Sequence, residues 1–183
     1  MELWSKVEKT NPAHTKPAKI GGLKITAIAP QYQIKCATEQ FGPYGKGWGF
    51  KSIELDYNLV EKYDLVVFKG VFFHPGGQFE IINSSKMHMD NAKKMIDADF
   101  AKKIETDALT KALSKLGFNA DIFMGRFDDT KYVTEMRNEF NKPAPNQTDM
   151  SWVNAAKQDK NILSQIEDPV YRARIELFIK EGY

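Results

Sequence analysis

The residues of this chain best typed and spaced for chemistry are lysines rather than nucleophiles. Lys111 and Lys115 stand four residues apart in a helix-patterned stretch, which places both ammonium groups along one helix edge. Two readings fit that edge. In one it is solvated, with Asp107 pairing Lys111. In the other it is a ridge that tracks phosphates. Asp128-Asp129 is a second charged constellation. Together with His88, such carboxylates are metal ligands in a nuclease; at a helix start they are more simply an N-cap, well placed in the helix dipole. The histidines His14, His74 and His88 show no HExxH or clustered ligand spacing, and His74 before Pro75 reads as a turn residue. Cys36 is the only cysteine, so neither a disulfide framework nor a CxxC metal site exists. With no obvious base beside it, it reads as a buried structural thiol. No P-loop motif occurs, so ATP hydrolysis of that kind is not expected, and no metal or cofactor is expected either.

The element that must position the lysine edge runs through Asp97–Asp129. From Ala101 the apolar residues fall at Ile104, Ala108, Leu109, Ala112, Leu113 and Leu116, covering about half of a helix. The opposite face carries Lys103, Thr106, Asp107, Thr110 and Ser114, and Gly117 stops the helix. The whole chain, 183 residues with 42% hydrophobic and 12% aromatic, is long enough for one core domain plus a short appendage. Net charge is only +2, but its distribution is uneven. Residues 1–52 hold eight lysines against three glutamates, whereas residues 53–100 hold five basic and eight acidic residues. A basic N-terminal quarter fits a polyanion footprint and equally a solubilising arm. No signal-peptide core or membrane-length apolar run is present, so the chain reads as an intracellular soluble protein.

Along the chain, residues 1–19 read as an extended arm, anchored by Trp4. Ile25–Ile28 is a short strand, and Pro30 opens a helix whose inner side is Ile34, Ala37, Thr38 and Phe41. A glycine-aromatic turn follows, Phe41 to Phe50. Trp48 to Asn58 reads as a strand with Ile53, Leu55 and Tyr57 on one side. Tyr63–His74 and Gln78–Ser84 form a hairpin about Pro75-Gly76-Gly77. A polar connection over 85–96 leads into the long helix, and a further helix is expected from Asp128 to Phe140. The fold class is therefore α+β: a helix, a three-stranded antiparallel sheet and a long amphipathic helix packed on it (a β-β-β-α core), with a small C-terminal helical appendage. The expected division is a core at 1–140, a linker at 141–151 and a helical segment at 152–183.

This order of elements resembles the single-strand DNA annealing proteins, the phage Erf-like and Rad-fifty-two-like superfamily. The segment Ala37-Thr38-Glu39-Gln40-Phe41-Gly42, followed by Gly47-Trp48, is similar to that family's helix-to-strand passage. Thr106 to Leu113, closing in Leu116-Gly117, is similar to its long helix, and Asp128 to Tyr132 resembles the Asp-x-x-Tyr segment after it. The resemblance covers roughly residues 30–133. Of the family helix's basic positions only Lys111 is matched; Thr110 and Ser114 occupy the others, Lys115 is displaced by one residue, and Tyr32 stands where an arginine is expected.

The resemblance implies a ring or filament of identical subunits that holds single-stranded DNA in a groove and anneals complementary strands without ATP. The setting would be phage-type recombination and repair in the cytoplasm of an infected host, with a single-strand-binding protein or a phage exonuclease as further partners and no membrane. It implies DNA contacts among Lys111, Lys115, Lys103, Lys102, Lys35, Lys46, Tyr32, Trp48, Lys69, Lys86, Arg126 and Lys131. Trp48 either stacks on a base or packs beneath the sheet, and packing suits a tryptophan better. Two other readings stay open: a metal-dependent nuclease on Asp128, Asp129 and His88, and a non-DNA interaction module whose C-terminal helix docks a partner.

Overall fold

The computed structural model describes residues 2–142 and 144–183, the side chain of Ile20 excepted. It divides into two compact units, residues 1–140 and 141–183. In the first, α1 (Glu2–Val7) leads to a hairpin of β1 (Thr15–Ile20) and β2 (Leu23–Ile28), then to α2 (Pro30–Phe41). A three-stranded antiparallel sheet follows, β3 (Gly49–Asp56), β4 (Leu65–His74) and β5 (Gly77–Lys86) in that spatial order, with the short α3 (Val60–Tyr63) between the first two. After it come α4 (Phe100–Lys115), α5 (Ala120–Phe123) and α6 (Thr130–Phe140). The expected α+β fold, with a long helix on a three-stranded sheet, is what the chain forms.

Alternation in β4 sends Val66, Phe68 and Phe72 to one face, where Ile81 of β5 joins them. Ile104, Ala108, Leu109, Ala112 and Leu113 of α4 pack on that face with Ala37, Trp48 and Phe118. Burying such side chains contributes roughly 1.5–3 kcal/mol each. Trp48 is fully buried, and its indole N–H donates to Gly42 O at 2.9 Å. Gly47 beside it is sterically required. A Cβ on Gly47 would lie 1.8 Å from Phe41 O.

Several local expectations are corrected. Residues 2–7 are helical rather than extended, and residues 15–20 pair with β2. Val7 is buried in the core, and the Trp4 ring lies over Gly117, where φ is +95° and a Cβ would come within 2.6 Å of it. Asn119 N donates to Val7 O at 2.8 Å and Asp121 N to Glu8 O at 3.1 Å, so the arm is strapped down by partners over a hundred residues away. In α2 it is Gln33 that is buried, while Thr38 is exposed. Simple alternation fails in β3, because Ser52 and Ile53 together face one position of β4, a β-bulge that leaves Ile53 exposed; Tyr57, also exposed, lies beyond the strand's end at Asp56. Tyr63 belongs to α3, and the second strand starts at Leu65, after Asp64 takes a left-handed conformation.

Residues 87–97 are tied back to the sheet end. His88 Nδ1 lies 2.5 Å from Asp64 Oδ1, and Asp97 N donates to Met87 O at 2.9 Å.

The second unit is helical. The expected linker ends early: α7 (Gln147–Gln158) begins inside it, started by a capping box between Asn146 and Asp149. Pro143 of that linker lies outside the described residues. A 3-10 turn (Lys160–Gln165) and α8 (Pro169–Lys180), capped by Asp168, complete the unit around Val153, Ile166, Ile175 and Phe178. Asp149 is fully buried and accepts from Tyr171 Oη and an Arg174 guanidinium nitrogen, each at 2.8 Å.

Two outcomes follow from this packing. Trp48→Ala should destabilise the protein by roughly 3–5 kcal/mol, read as a lower urea midpoint with an unchanged slope. The His88 hydrogen bond holds the Asp64 carboxyl below the usual carboxylate range. Its contribution is therefore complete above the ordinary Asp pKa of about 3.9 and is lost as pH falls through the depressed folded value. Asp64→Asn should lower stability at neutral pH, with the gap to wild type closing in acid. A gap that stays constant from pH 7 to 3 would refute this linkage.

Candidate nucleic-acid interface

The hairpin forms because two extended stretches flank Gly21-Gly22, whose φ values of +57° and +86° suit a tight two-residue turn. Its register sets Lys19 directly opposite Lys24 and Lys16 opposite Ala27. All three lysines are exposed, and none pairs with a described acidic residue. No Asp or Glu occurs between Glu8 and Glu39. Like charges directly opposite across strands are destabilising, by up to about 1 kcal/mol relative to a neutral pair. A positive hairpin without internal counter-charge suits an anionic partner.

The hairpin also forms one wall of a groove of about 650 Å³. Ile25 to Ile28 of β2 and Pro30 make that wall. The facing wall is the outward side of α4, with Lys102, Lys103, Thr106, Asp107 and Thr110, and Ile122 and Phe123 of α5 complete a mostly apolar lining. Helical spacing explains the second wall: Lys103, Thr106 and Thr110 recur at three and four residues, opposite the stripe that α4 buries. A smaller cleft of about 160 Å³ sits at the β3 bulge on the outer sheet face, but Glu54 and Glu80 line it beside Lys69. That makes it a poor anion site.

The structure sorts the expected contact residues into separate places. Lys102 is exposed at the groove, and Lys103 reaches the groove while paired with Asp97 at 2.5 Å. Lys111 and Lys115 lie along the other flank of α4, beside β5. Lys111 Nζ donates to Asn83 Oδ1 at 2.6 Å, and Lys115 Nζ stands 5.7 Å from the Phe79 ring centroid. Lys69 is held by Glu54 at 3.4 Å and Asp56 at 3.1 Å, and Lys86 by Asn91 at 3.3 Å. Lys35 faces Glu39 at 3.7 Å on α2. Tyr32 is half-buried and stacks on His14 at 4.2 Å; burial pushes its phenol well above the ordinary range. Lys46 is exposed in the glycine turn. Arg126 lies over the Tyr132 ring at 5.6 Å, and Lys131 is exposed on the first turn of α6. Trp48, buried as described, has no face open to a base.

Lys16, Lys19 and Lys24 were missed by motif reading. The signal available was the acid-free run from Lys9 to Thr38 combined with a Gly-Gly turn. Two of the three nuclease candidates have other partners: His88 pairs with Asp64, and Asp129 accepts from Lys131 N at 2.8 Å as a helix cap. Among the described residues, no three His, Cys, Asp or Glu side chains are gathered to hold a metal ion. Burial pushes the Cys36 thiol up, away from thiolate chemistry. No helix among the described residues is long and apolar enough to cross a membrane. No model of a known protein family matches the chain, and no curated protein matches it significantly.

The Lys19–Lys24 pairing yields a direct check. Lys24→Glu converts a repulsive cross-strand pair into an attractive one, so melting temperature should hold or rise, by about 0.2–1 kcal/mol of stability. The same change should make the protein elute from a heparin column at lower salt. Unchanged elution would show that the hairpin takes no part in anion binding.

Proposed function

We propose that this chain binds single-stranded DNA with little sequence preference and anneals complementary strands without ATP, in recombination and repair of the phage type. The observation that carries the reading is the groove between an all-positive hairpin and the Lys102–Lys103 end of α4. Lys102 and Lys103 on the α4 wall contact phosphates, which every sequence offers, the hairpin lysines outside the lining add to the positive field, and a mostly apolar lining with Ile122 and Phe123 tolerates any base. Specific base-edge readout would call for convergent amide and guanidinium groups, whereas the polar groups lining this groove are lysines, threonines and Asp107. Annealing needs no fuel, since duplex formation is downhill once two strands are brought together. The resemblance over residues 30–133 points the same way and adds self-association into a ring or filament, action in the cytoplasm of an infected host, and recruitment alongside a single-strand-binding protein or exonuclease.

The experiment is fluorescence anisotropy with a labelled oligonucleotide across a salt series, beside an annealing assay in EDTA without nucleotide. Affinity should fall with a log–log slope of about −0.7 per phosphate contact. Complementary strands should pair faster with protein than without. A salt-independent affinity, or binding with no acceleration of pairing, would defeat the proposal; magnesium-dependent cleavage of the oligonucleotide would transfer it to a nuclease.

A further inference from the structure

Asn83 stands in the core-facing row of β5, after Phe79 and Ile81, and is only 4% exposed. The two residues before it in that row are apolar, and a leucine would meet the core's needs without any hydrogen bond. Instead its carboxamide is used on both sides. The NH2 group donates to Ile104 O at 3.2 Å and to Asp107 Oδ2 at 2.9 Å, while Oδ1 accepts from Lys111 Nζ at 2.6 Å. These partners determine which way the amide points, because an ammonium only donates and a carboxylate only accepts. Lys111 and Asp107 are themselves one helical turn apart, with charged atoms at 3.9 Å. Both side chains are more than half exposed, so the desolvation cost of the arrangement falls on Asn83 alone.

The geometry points to Asn83 as a positioning residue for phosphate contact at Lys111, an inference that rests on the nucleic-acid reading above. A lysine free in solvent loses rotamer entropy when it binds an anion; one already held by a buried amide loses less. Asn83 occupies one of the three ammonium protons and leaves two for a phosphate. Asp107 also lines the groove, and there Lys111 and the Asn83 NH2 group together offset its negative charge. Lys115 has an aromatic ring beneath it and, among the described residues, no comparable tether. The site thus extends from the groove, across Asp107, to the seam between α4 and β5.

The test begins with the wild-type chain. In a side-chain ammonium NMR spectrum, Lys111 should give a signal protected from exchange that shifts on titration with an oligothymidine. Asn83→Leu should then lower oligonucleotide affinity about tenfold, as Lys111→Ala does, with the double variant no weaker than either single one. Lys115→Ala should stay within about twofold of wild type. If Asn83→Leu keeps its affinity while Lys111→Ala loses it, the positioning role is wrong and the DNA reading stands. Should Asn83→Leu fail to fold, a Lys111 signal that is unprotected, or unmoved by the oligonucleotide, overturns the role by itself. A wild-type chain that ignores the oligonucleotide removes the DNA reading, and the inference falls with it.

Discussion

The first unit depends on one buried carboxylate. Asp121 is 3% exposed, and a charge so placed is tolerated only when its lone pairs are filled. Thr10 N donates to it at 2.8 Å, Thr10 Oγ1 at 2.6 Å, Tyr132 Oη at 2.9 Å and Ile122 N at 2.9 Å. Every partner donates, as an ionised carboxylate requires. The Tyr132 phenol, pushed up to about 12 by burial and by Asp121 itself, stays protonated to do so. This one group joins three parts of the chain: the segment ahead of the hairpin, the α5 turn that lines the groove, and α6. The walls of the groove hold their relation because Thr10 and Asp121 hold theirs.

The same unit carries an electrostatic compromise. Its core is conventional, but its hairpin sets lysine against lysine and leaves three ammonium groups uncompensated. On α4 the opposite policy holds, since Lys103 and Lys111 each have an acidic residue within 4.0 Å. The charge of the hairpin, carried outside the groove lining, is therefore unscreened and exposed, while that of the α4 wall is partly neutralised and ordered. Long-range attraction belongs to the hairpin and register belongs to the helix, a division in keeping with steering by net field and positioning by fixed donors.

Much of this was legible in the sequence. The period of α4, its glycine stop, and the alternation of β4 and β5 about Pro75-Gly76 gave the sheet and the helix on it, because each is written in local spacing. The arm of residues 2–10 was not legible, since its order comes from Asn119 and Asp121, distant in sequence. The β3 bulge was hidden for a related reason: a strand's period says nothing of what the neighbouring strand can accept. On the site, helical spacing and resemblance point to Lys102, Lys103 and Lys111, of which the first two line the groove. The hairpin lysines carry no motif, only a missing counter-charge, and the resemblance places Trp48 among the contacts although its hydrophobic bulk favours the core.

The bulge bears on how this strand tolerates change in length. Ser52 and Ile53 share the position opposite Gly70, where a Cβ would meet the Phe68 ring at 2.9 Å and the Phe50 ring at 3.2 Å. Two phenyl rings already fill the space that an inward side chain on β3 would take. The extra residue lets the strand skip that inward place and bring Leu55 back to the core side, five residues after Phe50. It works as a frameshift in the pleat. Losing either Ser52 or Ile53 would restore regular alternation and thrust a side chain into occupied volume, so in this strand the shorter and more regular sequence is the one that cannot be packed.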